Sequence, residues 1–221
     1  MKTNEILRKE VQDSIRWEPL LNTTDIGVIV SDGIVTLTGR VDSYYKKKEA
    51  EKTAKNIGGV KAVVDDIEVI IDKERQKNDT DIAIDVINAL HHNWSVPDEK
   101  IKVTVDNGWV TLEGILKWEF EREAAQNAIK YLQGIRGVTN KLKLQSTIDD
   151  AIEKKHVEAA LRRNWSIDCD KINVRVLGNM ITLSGVVNSI YQKEAAERIT
   201  YKTPGVWFVE NLLEVRYNHT D

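Results

Sequence analysis

Apolar and polar positions along this 221-residue chain follow two periods that succeed one another in a fixed order, three times over. The first block steps by four: Leu7, Val11 and Ile15; then Ile82, Val86 and Leu90; then Val157 and Leu161. Side chains so spaced share one face of a helix. The second block alternates strictly, with Ile26, Val28 and Val30, then Ile101, Val103 and Val105, then Ile172, Val174 and Val176. Period two in β-branched residues predicts a half-buried strand. Turn signals follow, SDG, DNG and LGN, and then a return strand: VTLTG at Val35–Gly39, VTLEG at Val110–Gly114, ITLSG at Ile181–Gly185. The helical period resumes with Tyr45, Ala50 and Ile57, matched by Phe120, Ala125 and Leu132 and by Tyr191 and Ala196. Glycines 59, 134 and 205 mark the helix ends. A last alternating run closes each copy, for example Val209, Leu213 and Val215.

Aligned on Gly39, Gly114 and Gly185, the segments Val11–Val69, Val86–Leu144 and Val157–Val215 match without a gap. The predicted fold class is therefore α+β: three tandem αββαβ units, each a three-stranded mixed sheet with two helices on one face. The expected boundaries are 1–72, a polar linker at 73–79, 80–146 and 147–219. The short connection between the second and third units predicts that these two are held more closely together than the first and second.

Composition narrows the function. With 30% charged residues and a net charge of −3, the chain lacks the basic excess of a nucleic-acid binder. Its single cysteine, Cys169, makes no disulfide within the chain. The first residues, MKTNEILRKEVQDSIRW, contain no signal-peptide apolar stretch. The sequence as it stands predicts a cytoplasmic protein, or a periplasmic one if a leader has been removed.

Comparison of the copies sorts the candidate residues. Tyr45, Phe120 and Tyr191 share a slot and are expected in the core, as are Ile34, Trp109 and Met180. Trp94 and Trp165, in HNWSV and RNWSI, are expected to close the end of the small core. Trp118 stands where the sister units have Ser43 and Ser189, and Trp207 where they have Lys61 and Arg136, which predicts surface positions, used either by a partner or lipid or for packing between neighbouring units of the chain. The helix YYKKKEAEKTAKN presents Lys46, Lys47, Lys48, Lys52 and Lys55 beside Tyr44, a basic amphipathic face that can lie on an anionic membrane. Glu49 and Glu51 dilute its field, so a solvated face is the competing reading. Asp65, Asp66 and Glu68 raise an acidic cation site against a solvated strand. No metal-ligand spacing, catalytic triad or phosphate loop occurs, and no cofactor is predicted.

The V-T-L-x-G strand, the alanine-bearing helix and the closing run PGVWFVENLLEV resemble the BON domain, named for bacterial osmotically inducible and nodulation proteins. The third unit carries the fullest likeness, in ITLSGVVNSIYQKEAAERI. The resemblance implies a non-enzymatic binding module associated with phospholipid membrane or the cell envelope in stress response. Tyr44, the five lysines, Trp118 and Trp207 are then the expected contact residues. The alternatives are a cytoplasmic scaffold that docks a protein partner or a second copy, and a potassium-binding or potassium-sensing module.

Overall fold

The computed structural model describes residues 3–21, 25–72, 76–144, 154–164 and 169–216. Each repeat has the predicted order. The first comprises α1 (Asn4–Trp17), β1 (Ile26–Ser31), β2 (Ile34–Val41), α2 (Tyr44–Lys55) and β3 (Ala62–Val69). The second comprises α3 (Asp79–His91), β4 (Ile101–Asp106), β5 (Trp109–Leu116), α4 (Glu119–Ile129) and β6 (Gly137–Leu144). The third comprises α5 (Lys154–Arg162), β7 (Ile172–Leu177), β8 (Met180–Val187), α6 (Ile190–Tyr201) and β9 (Phe208–Val215). Three separate sheets form, with orders β1-β2-β3, β4-β5-β6 and β7-β8-β9. The hairpins β1-β2, β4-β5 and β7-β8 are antiparallel, whereas β6 and β9 run parallel to β5 and β8.

Local chemistry starts the helices where the apolar ladders begin. The Thr3 hydroxyl accepts from the Ile6 amide at 3.3 Å, Asn78 from Asp81 at 2.8 Å, and Ser189 from Gln192 at 3.2 Å. The first turn of the leading helix also grips the hairpin. Asn4 accepts from the Asp32 amide at 3.0 Å, and the matching Asp79 accepts from Asn107 and Gly108 at 2.8 Å each. Leu7, Val11 and Ile15 are buried, as are Ile82, Val86 and Leu90, and Val157 and Leu161. They meet the strand faces carrying Val35 and Leu37, Val110 and Leu112, and Ile181 and Leu183, all fully buried.

The chain divides into two compact units. One contains residues 1–40, 48–68 and 148–221; the other contains 41–47 and 69–147. The expected pairing of the second and third repeats is thus replaced by a unit that joins the first and third. In that unit Lys55 pairs with Glu194 at 2.6 Å, and the Gly59 amide donates to the Asn188 carbonyl at 3.1 Å. In the other unit Tyr44 enters the cluster of Ile82, Val86 and Leu112, and Tyr45 meets Tyr131 at a ring separation of 4.4 Å.

Three core expectations are corrected. Phe120 is 48% exposed, and Tyr45 and Tyr191 are only half-buried. Each lies five residues before the buried alanine of its helix, about 140° around the axis, which places Phe120 off the core face and Tyr191 at the core's margin, where it packs against the third repeat's cluster. Ile34, Trp109 and Met180 are 44%, 48% and 43% exposed. They precede a core-facing residue in a strand, so they point to the face that the helices leave open. Trp94 stands 94% exposed, and Val96, in the slot of the buried Leu21, closes the core instead. Trp165 lies outside the described residues.

Candidate functional site

The basic helix is neutralised from within. Lys46 pairs with Asp42 at 2.8 Å, Lys48 with Glu51 at 2.5 Å, Lys52 with Glu49 at 2.9 Å, and Lys55 with Glu51 at 2.7 Å as well as with Glu194. Lys47 is half-buried on the same helix. The hydrogen bond from Lys46 holds the Asp42 carboxyl below its ordinary range. Burial pushes Glu51 up, but hydrogen bonds from Lys48 and Lys55 outweigh it and leave the carboxyl lowered. Burial likewise works against the Lys55 ammonium, yet Glu194 and Glu51 hold its pKa above the ordinary value. The hydrogen bond to Glu49 raises Lys52. An anionic headgroup must compete with these carboxylates, so the lysines attract it less than their number suggests.

Of the remaining candidates, Tyr44 is 4% exposed and belongs to the second repeat's core cluster. Trp118 is half-buried just before α4, where the Glu121 carboxylate accepts from the Lys117 and Trp118 amides at 2.9 and 3.0 Å. Trp207 is 41% exposed ahead of β9. Tyr44 is therefore a core residue and not a surface contact. Two of the three acidic candidates have local work: Asp65 accepts from the Ile67 amide at 3.3 Å, as Asn140 and Asn211 do from Leu142 and Leu213, and Glu68 pairs with Arg40 at 3.5 Å. Among the described residues no group of three or more His, Cys, Asp or Glu side chains could hold a metal ion.

The feature that sequence reasoning misplaced is the loop between α3 and β4. It is tightly folded. The Asn93 carboxamide accepts from the Ser95 amide at 3.1 Å, the Val96 amide donates to the Asn93 carbonyl at 2.9 Å, and His91 Nδ1 lies 2.8 Å from Asp98 Oδ2. That bond lowers the Asp98 pKa. With Val96 turned in, Trp94 between Asn93 and Ser95 has nowhere to go but outward. Trp17, at the end of α1 in the first repeat, is 84% exposed while Leu21 fills the core. The flanking Asn and Ser were the available signal, since both favour turns over a buried run. An ordered loop that holds a bare indole in water can insert it into an interface without first refolding.

The family model for the BON domain matches residues 3–70, 78–146 and 149–217. The chain belongs to the BON domain family. Its three BON repeats coincide with the three αββαβ units. Over 127 residues it is 32% identical to osmotically-inducible protein Y of Escherichia coli (strain K12), a match covering 56% of this chain and 63% of that protein. The alignment thus spans under two thirds of the relative's length. Among solved structures, CdsD, a structural protein of the type III secretion system of Chlamydia trachomatis, aligns over 97% of this chain and 94% of its own at 15% identity and a TM-score of 0.26. The PrgH periplasmic domain aligns over 94% and 99% at 12% identity and a TM-score of 0.20. Likenesses at these TM-scores carry no argument about this BON protein.

Proposed function

We propose that the protein is a non-enzymatic binding protein that attaches peripherally to a phospholipid surface of the bacterial envelope and serves tolerance of osmotic stress. The BON family and the osmotically inducible relative support the setting. The observation that carries the contact is Trp94, an indole left 94% exposed on an ordered loop. Tryptophan suits the headgroup boundary, where its ring leaves water while its N–H keeps a polar partner. Among the described residues no helix is long and apolar enough to cross a membrane.

Withdrawing on the order of 100 Å² of indole from water contributes about 2.5 kcal/mol. Co-sedimentation with vesicles of phosphatidylglycerol and phosphatidylethanolamine at low salt tests the reading. The intact chain should pellet with them, and Trp94→Ala should weaken partitioning by roughly tenfold or more. No pelleting of the intact chain on any vesicle would remove the proposal. Pelleting that ignores Trp94 would remove this loop from it.

A further inference from the structure

The register of the third sheet fixes which residues stand side by side on the face that its helices leave open. Leu177, Met180 and Phe208 form one row across β7, β8 and β9, and the next row is Arg175, Thr182 and Glu210. The first row is apolar and 69%, 43% and 50% exposed. The second places a cation on one edge strand and a carboxylate on the other. Between them the Thr182 hydroxyl donates to Glu210 at 3.1 Å, while Arg175 is exposed. The second repeat is built differently in the same slots. Its row is Asp106, Trp109 and Gly137, and the Trp109 indole lies flat over Gly137 with its N–H donating to Thr139 at 2.7 Å. That indole is held down on its own sheet, whereas the third repeat's row is bare.

We infer that the open face of the third sheet is a self-complementary interface at which a second copy of this chain docks, sheet face to sheet face, about a two-fold axis running along β8. Such an axis exchanges the edge strands and keeps each row opposite itself. Leu177 then meets the partner's Phe208, Met180 meets the partner's Met180, and Arg175 meets the partner's Glu210, twice over by symmetry. Apolar area is covered by apolar area, and each edge charge finds its opposite. Packed sheets lie about 10 Å apart and rotated by roughly 30°, which an axis inclined by about half that angle to β8 accommodates. A three-stranded face is smaller than the roughly 800 Å² per partner of a stable complex, so the dimer is weak and concentration-dependent.

Sedimentation velocity on the intact chain, from micromolar to near-millimolar concentration, reads this directly. The mass should rise from the 25.2 kDa of one chain toward twice that value. Phe208→Asp should abolish the rise. Arg175→Glu and Glu210→Arg should each weaken dimerisation about tenfold or more, by setting like charges opposite one another. The combined variant R175E/E210R should restore it, since the pair re-forms with its signs exchanged. All these positions are exposed, and unchanged thermal melts confirm that the variants fold. A mass that stays at one chain overturns the inference, including the case where the face binds vesicles while the protein remains monomeric. A dimer indifferent to the charge swaps, or a combined variant no better than the single ones, overturns it equally.

Discussion

Replacing Gly185 by alanine should unfold the third repeat at temperatures where the wild type is intact. This glycine ends ITLSG and pairs with Ile172 across the hairpin. Its φ is +125°, and a Cβ added there would sit 2.0 Å from the Lys171 carbonyl oxygen, a backbone atom with little room to yield. The conformation alone costs an L-residue about 1–3 kcal/mol. Relieving the overlap requires the start of β7 to move by about 1 Å or more, at the expense of one or two ladder hydrogen bonds at about 1 kcal/mol each. The total is about 2–5 kcal/mol, against roughly 4–10 kcal/mol for the whole stability of a unit this size. At about 4–8 °C per kcal/mol for a small domain, the third repeat should melt at least about 8 °C lower. Urea and thermal unfolding followed by circular dichroism on the full chain would show a new early transition. Gly178→Asn is the control. Gly178 has a φ of +58° with nothing within 4 Å of an added Cβ, and the sister repeats hold Asp32 and Asn107 there at φ 51° and 50°. That variant should change the melt by no more than about 0.5 kcal/mol. Should Gly185→Ala melt within 2 °C of wild type, roughly the resolution of a scan, the steric argument fails.

Trp94→Ala should leave stability within about 0.5 kcal/mol of wild type, whereas Leu90→Ala, 2% exposed on the same helix and loop, should cost about 2–5 kcal/mol in urea denaturation. Tyr44→Ala removes a ring that is 4% exposed within the second repeat's core and should cost about 3–5 kcal/mol. A lipid-facing Tyr44 would instead give a stable protein with reduced vesicle binding. The lowered pKa of Glu51 makes its ion pairs stabilising above the ordinary value of 4.5, a contribution lost as pH falls through the lower folded value. The stability gap between wild type and Glu51→Gln should therefore be constant from pH 6 to 8, well above that value, and close in acid. For Lys55 the raised pKa has the opposite sense: its contribution is present below 10.5 and disappears only as pH rises through the higher folded value.

How much of this molecule was legible in its sequence depends on what periodicity encodes. Alternation states which residues share a face, and Val35 with Leu37, like Ile181 with Leu183, share one and are buried. It does not state whether the opposite face is covered. An apolar residue recurring in all three copies, as at Ile34, Trp109 and Met180, therefore looked like core although it points away from the helices. The five-residue step from Phe120 to Ala125 could have been read correctly, since the helical angle alone puts the two on different faces. The neutralisation of α2 could be read only in part. Its i,i+3 and i,i+4 pairs with Glu49 and Glu51 are visible in sequence, but Glu194 lies far along the chain and arrives by folding.

The repeats constrain their core faces alike because the same small core must be filled in each. Their open faces and loop tips carry no such demand, and there the copies part. The second repeat seats Trp109 against Gly137, where alanine and phenylalanine stand in the first and third. Glycine at that position is what lets the indole lie flat, since a Cβ would fall 2.6 Å from the ring. With Phe208 in the glycine's place the third sheet has no such seat, and its apolar row remains for another surface to cover. The same contrast separates the two proposed contacts. Trp94 extends from a loop tip on the second repeat and answers to vesicles. Leu177, Met180 and Phe208 lie flat on a sheet whose edge charges match their own reversed image, a feature that a lipid surface does not require and a second copy does.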